Sequence, residues 1–258
     1  MTTYVLVPGF WLGAWAWDGV AAELRAAGHE VRALTPLGVA ERATTAEVSA
    51  ADQVADVVAT IRREAEPVVL VGHSGAGPVV VAAAEEAREQ VAGLVLVDTG
   101  PMPEGMAHID FHPPQMQTWI RERIAAHDGW YPMPTPEELR TSGASLDGLD
   151  TETLETLVRR AAPEPAGVVL GAVRRGVNDP SLPKILVASS FPGQQVRELA
   201  AAGVPAFAQL ADPEWDIRDL PTGHWPMLSE PHELAVVLAD VAPGRPLSRL
   251  REAPGSGV

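Results

Sequence analysis

At 258 residues, with 46% hydrophobic and 21% charged residues, the chain has the composition of one sizeable globular domain rather than a disordered segment. Its formal net charge of −15 argues against a nucleic acid as main ligand, because a polyanion is repelled at long range. The lack of cysteine excludes disulfide frameworks, thiol catalysis and Cys-ligated zinc, and no run approaches the ~18 consecutive apolar residues that span a bilayer.

In chain order, Tyr4–Val7 reads as the first strand. Neither a basic segment nor a long apolar stretch precedes it, so no secretory signal is expected and the cytoplasm is the default compartment. Trp17–Ala27 patterns as a helix stopped by Gly28, and Val31–Leu34 as the second strand. Ser49–Ala65 places Val54, Val57, Val58 and Ile61 at helical spacing. Val68–Val71 is the third strand, the small-residue helix Pro78–Arg88 follows, and Leu94–Val97 is the fourth strand.

From about 101 to 181 prolines cluster and the strand pattern disappears. Short helices are expected there at Gln115–Ala126, Pro136–Thr141 and Thr151–Ala162, forming a helical lid inserted over the strand ends. Ile185–Ala188 resumes the strands, Trp215–Leu220 alternates as an edge strand would, and Pro231–Val241 adds a last helix. The pattern predicts an α/β fold: a mostly parallel sheet of about six strands flanked by helices. Its core takes residues 1–100 and 182–245, the lid 101–181, and a frayed tail 246–258. Loops open at the C-terminal strand ends, where such sheets place their ligands.

The strongest chemical signal is Gly72-His73-Ser74-Gly75-Ala76-Gly77 between a strand and a helix. A serine on so sharp a turn has its hydroxyl pushed clear of the sheet, and small neighbours such as Gly72 and Ala76 make the turn feasible. The helix N-terminus beneath it favours developing negative charge. A phosphate-cradling loop is the competing reading, but the Lys-Ser/Thr ending of that motif is missing. Ser74 is therefore the candidate nucleophile.

Seven histidines compete to be its base. His224, on the loop after the last strand, can swing its imidazole to a serine at a neighbouring strand end. His73 is expected to point away from the turn and to pack or border the pocket. His29, His108, His112, His127 and His232 read as surface groups. No histidine sits within a carboxylate cluster, so no metal site is expected.

Leu6-Val7-Pro8-Gly9-Phe10-Trp11-Leu12-Gly13-Ala14-Trp15, the Gly72–Gly77 segment and Gly223-His224-Trp225 together resemble the α/β-hydrolase superfamily. The pattern is nearest to small esterases and to the plant methylesterase and hydroxynitrile-lyase relatives, and covers residues 1–245. The resemblance implies an α/β-hydrolase fold, a Ser-acid-His order, and an oxyanion hole from the Phe10 and Gly75 amides. Two departures stand out. Pro8-Gly9 replaces a common His-Gly, and no carboxylate follows the penultimate strand, which ends Ala188-Ser189-Ser190-Phe191-Pro192. Asp98 is the substitute acid, at the end of a strand expected two places beyond the nucleophile strand; a turn-capping role is its alternative.

The expected activity is hydrolysis of a carboxylic ester or lactone of a small, largely apolar substrate, without cofactor, nucleic acid or membrane, a homodimer being left open. Trp11, His73, Trp119, Trp130 and Trp225 are expected to contact substrate. Two alternatives remain: a lyase or cyclase using Ser74 and His224 for proton transfer, and a small-ligand receptor on the same fold.

Overall fold

The computed structural model describes residues 1–241, so the expected tail 246–258 and the last few residues assigned to the core lie outside the described residues. Six strands form one sheet: β1 (Thr3–Val7), β2 (Glu30–Ala33), β3 (Val68–His73), β4 (Val91–Val97), β7 (Lys184–Ala188) and β8 (Trp215–Asp219). Their order is β2-β1-β3-β4-β7-β8, and every pairing is parallel. β4 pairs directly with β3, so the strand carrying Asp98 adjoins the nucleophile strand rather than lying two places away. β8 is an edge, as its alternating sequence suggests.

The valine-rich strands follow from burial on both faces. Along β1, Val5 and Val7 enter one core, while Tyr4 and Leu6 enter the other. The same division separates Leu70 from Val71, Leu96 from Val97, and Leu186 from Val187. Helices α2 (Ala50–Ile61), α3 (Gly77–Glu86) and α8 (Gly193–Ala201) cover the first face. Helices α1 (Asp18–Ala26) and α10 (Pro231–Ala239) cover the second. α2 starts on a capping box, Ser49 Oγ accepting from the Asp52 N–H while the Asp52 carboxylate accepts from the Ser49 N–H. α8 has no counterpart among the sequence expectations, since its Gln- and Glu-rich segment buries only Gly193, Val196 and Ala200.

Between β4 and β7 the chain forms α4 (Pro114–Ala125), α5 (Pro136–Thr141), α6 (Thr151–Arg160) and α7 (Ala166–Leu170). Strand structure does not vanish there, contrary to expectation: β5 (Trp130–Tyr131) and β6 (Glu164–Pro165) pair antiparallel. Two-residue strands are too short to carry a readable period. A third core joins this region to the sheet through Phe10, which packs with Ile109, Ile120, Ile124, Tyr131 and Val169.

A polar strap secures both ends of the insertion. Arg175 pairs with Glu85 of α3 in a two-pronged contact from Nε and Nη2, and its side chain and that of Glu85 are 8% and 7% exposed. The same guanidinium donates to the carbonyls of Pro101 and Met102, and Glu85 accepts the Gly176 N–H at 2.8 Å. Among the described residues no helix is long and apolar enough to cross a membrane.

Candidate active site

Ser74 stands where β3 passes into a 3₁₀ turn, Ser74–Ala76, and then into α3. Its φ of 47° places it in the left-handed region, which costs a non-glycine residue on the order of 1–3 kcal/mol. The turn closes only with small neighbours. A Cβ on Gly72 would collide with the Val80 side chain, and one on Gly75 would lie 2.5 Å from the Phe10 ring.

His224 Nδ1 lies 2.6 Å from Asp98 Oδ2, and its Nε2 lies 2.8 Å from Ser74 Oγ. The carboxylate accepts only, so the ring proton resides on Nδ1 and Nε2 is free to accept from the serine hydroxyl. The structure thus brings together all three residues picked from the sequence, each from a different strand end or loop.

Asp98 also has a positive φ, 50°, and is buried. Its Oδ1 accepts from the Ser189 and Ser190 amides at 3.1 and 2.9 Å, and its Oδ2 accepts from the Ser190 hydroxyl. Burial pushes this carboxyl upward, but the hydrogen bonds from His224 and Ser190 outweigh it and hold the carboxyl below its usual range. The turn after β7, empty of carboxylates, supplies the donors that hold the acid instead.

His73 does not border the cavity as expected. It is 1% exposed, buried behind the base. Its Nδ1 accepts from the Gly9 N–H at 3.3 Å, so its proton sits on Nε2, which donates to the His224 carbonyl at 2.7 Å. Burial first, and His224 second, push its pKa down to about 3, so it serves as a neutral tie between the β1 loop and the loop of the base.

Ser74, Asp98 and His224 line a cavity of about 310 Å³, a volume suited to a small molecule. Trp11, Trp119 and Trp225 line it too, as does Phe10, whereas Trp130 does not. On the short β5 strand neighbouring residues face opposite ways, and Tyr131 takes the cavity side. His108, His112 and Ser190 also face the cavity, the two histidines against their reading as surface groups. Both are half-buried, through tertiary packing of the insertion that leaves no local mark.

Among the described residues nothing accepts the Phe10 N–H. Gly75 is second in a 3₁₀ turn, where helical amides have no carbonyl in a preceding turn. The next residue, Trp11, is clamped with φ at 68°. Its N–H donates to Glu164 Oε2 at 3.4 Å, its carbonyl accepts from the Ala162 N–H at 2.9 Å, and its indole N–H donates to the Tyr131 carbonyl at 3.0 Å. Glu164 is buried; its other oxygen accepts from Gln53 at 3.0 Å. Burial pushes its pKa up to about 7 against these donors. No group of three or more His, Asp or Glu among the described residues could hold a metal.

Comparisons with known proteins bear on the family and the fold. The Alpha/beta hydrolase family model matches residues 4–237. The carbendazim hydrolyzing esterase of Nocardioides sp. (strain SG-4G) is 30% identical over 260 residues, covering 93% of this chain and 99% of that protein. The probable esterase PIR7A of Oryza sativa subsp. indica is 29% identical over 261 residues, covering 93% and 96%. An extracellular alpha/beta-hydrolase from a Paenibacillus species superposes with a TM-score of 0.78 at 19% identity, over 94% of this chain and 99% of that one, a likeness of fold.

Proposed function

The chain belongs to the alpha/beta hydrolase family as an esterase-type serine hydrolase, and from that premise we propose that Ser74, His224 and Asp98 form its catalytic triad on small, largely apolar esters. The observation that carries this reading is the continuous line Ser74 Oγ–His224 Nε2, His224 Nδ1–Asp98 Oδ2, at 2.8 and 2.6 Å, opening on the cavity of about 310 Å³.

Ser74 Oγ attacks the ester carbonyl carbon as its proton passes to His224 Nε2. The carbonyl π electrons move onto oxygen, and the Phe10 and Gly75 amides stabilise that oxyanion. Collapse breaks the bond to the alcohol oxygen, which leaves with the proton from His224 Nε2. Water then gives a proton to the same nitrogen, adds to the acyl-enzyme, and releases the acid and free Ser74. Asp98 keeps the imidazole in the required tautomer and offsets its charge when protonated. Residues 101–181 serve as the lid that excludes bulk water and shapes the pocket. Proton transfer by Ser74 and His224 without an acyl-enzyme is the rival reading, and the esterases among the relatives favour hydrolysis over it.

Intact-protein mass spectrometry after exposure to a fluorophosphonate, with peptide mapping, tests the reading. One adduct confined to Ser74, lost in Ser74→Ala together with at least about 10⁴-fold of esterase turnover, is the expected result. An unlabelled but folded wild type would overturn it.

A further inference from the structure

His108 and His112 project into the cavity from the 3₁₀ turn His108–Phe111 and the residue that follows it. The His108 ring packs on Phe10, centroids 4.4 Å apart, and the Phe10 ring in turn covers Gly75. This imidazole therefore stands one ring away from the amides assigned to the oxyanion.

Neither nitrogen of His108 has a hydrogen-bond partner among the described residues, and Nδ1 is sealed from solvent. Burial, reinforced by His112 and His224 nearby, pushes the pKa down to about 3, so the ring is neutral and carries one N–H. A proton on Nδ1 would be a buried donor with no acceptor, the most costly arrangement open to it. The proton belongs on Nε2, the nitrogen left to meet a ligand. The cavity it faces is lined in part by Phe111, Met116 and Phe207, and the His112 ring lies beside it, centroids 5.5 Å apart. Among the described residues no Lys or Arg lines the cavity.

Resting on the hydrolase reading above, we propose that the His108 Nε2–H is a specificity subsite for a second, uncharged hydrogen-bond acceptor on the substrate. Preferred substrates are apolar esters bearing an ether oxygen, a carbonyl or an aza nitrogen away from the scissile carbonyl. A free carboxylate is disfavoured, because a neutral imidazole offers no countercharge and Asp98 already places a negative charge on the cavity wall. An ester lacking the acceptor leaves the donor buried and unpaired, which is how hydrogen-bonding pockets discriminate against truncated substrates.

The test is an oxygen walk: p-nitrophenyl hexanoate against analogues in which one chain methylene at a time becomes an ether oxygen. The reading is the oxa-to-carbon ratio of kcat/KM, compared between wild type, His108→Phe and His108→Leu. Intrinsic reactivity differences among the esters cancel in that comparison. The expected result is one oxygen position where the wild-type ratio exceeds that of both variants by about 5- to 30-fold. His108→Phe keeps a ring on Phe10, so it should retain the local packing. Equal ratios at every position would overturn the proposal. So would a flat wild-type profile after correction for each ester's alkaline hydrolysis rate, a reading that needs no variant. Fluorophosphonate labelling of Ser74 in the same samples separates the two failures. A labelled wild type with a flat profile sinks the subsite alone, while an unlabelled one sinks the hydrolase reading beneath it.

Discussion

Ser74 and Asp98 stand at the ends of neighbouring strands, fixed by continuous backbone pairing along β3 and β4 and by helices on both faces of the sheet. The region from 101 to 181 supplies most of a smaller third core and lends Leu139 and Leu157 to the second, so apolar packing and polar contacts together join it to that floor. The polar contacts include the Arg175–Glu85 strap at its ends, the Ala162, Glu164 and Tyr131 contacts to Trp11, and the Ser145 and Asp147 carbonyls, which accept the His224 and Gly223 N–H groups. The nucleophile and the acid are thus set by paired strands of the sheet, while the loop of the base is also held by the insertion. What decides which molecule reaches them hangs from individual side chains, so single substitutions should separate rate from shape.

Changing the floor should have the largest effect. Asp98→Asn replaces the acceptor of the His224 Nδ1–H with a group that can present an amide instead, favouring the wrong tautomer. A kcat loss on the order of 10³- to 10⁴-fold is expected in steady-state assays with an unchanged circular dichroism spectrum. A near-wild-type rate would remove Asp98 from the triad and leave it a turn cap.

The strap comes next. Arg175→Ala leaves the Glu85 carboxylate buried and two carbonyls without donors, a loss of about 3–5 kcal/mol if the fold unfolds as one unit. Urea denaturation measures it, and Ser74 labelling well below the midpoint should persist. Loss of labelling at full native signal would instead tie the floor to the insertion.

The Trp11 clamp gives the smallest and most pH-dependent change. The Glu164 carboxyl is raised to about 7 in the fold, above the value of about 4.3 for an unfolded glutamate. The native state therefore holds this proton more tightly, so the contribution of Glu164 is most favourable at low pH. It is lost as pH rises through about 7. Glu164→Gln cannot ionise, and its stability relative to wild type should rise by on the order of 2–3 kcal/mol between pH 5 and pH 8, offset by a constant penalty. That penalty follows because both oxygens of Glu164 accept from N–H donors, and a glutamine must turn an NH₂ toward one of them. Thermal melts of both proteins across that range would show parallel pH profiles if the carboxyl titrates normally.

The division between floor and insertion also marks what could be read from the chain. Val68–Val71 and Leu94–Val97 announced buried strands because both faces demand apolar residues, and the Ser74 turn announced itself because it tolerates only small neighbours. His224 was recoverable from its place after the last strand. The roles of His73, His108 and Trp130 were not. Each depends on which way a side chain faces after distant segments pack: His73 is turned behind the base by Gly9, and His108 is turned into the cavity against Phe10. Glu164 carried no local signal either, since a glutamate before a proline usually lies at the surface. Its burial comes from Gln53 and Trp11, far away in sequence.

Asp98 lies 126 positions ahead of His224, on a different strand from the one where the family pattern would seek an acid. An imidazole responds to an acceptor at a point in space and is indifferent to the route the chain takes to reach it. The Ser189 and Ser190 donors aim at that same point, so the strand end without a carboxylate still supplies hydrogen bonds to one. A carboxylate on either of these two adjacent strand ends could then meet the same imidazole nitrogen. Surveys that locate triads by fixed sequence intervals will discard such chains as inactive, whereas a search for an acceptor within reach of the imidazole will keep them.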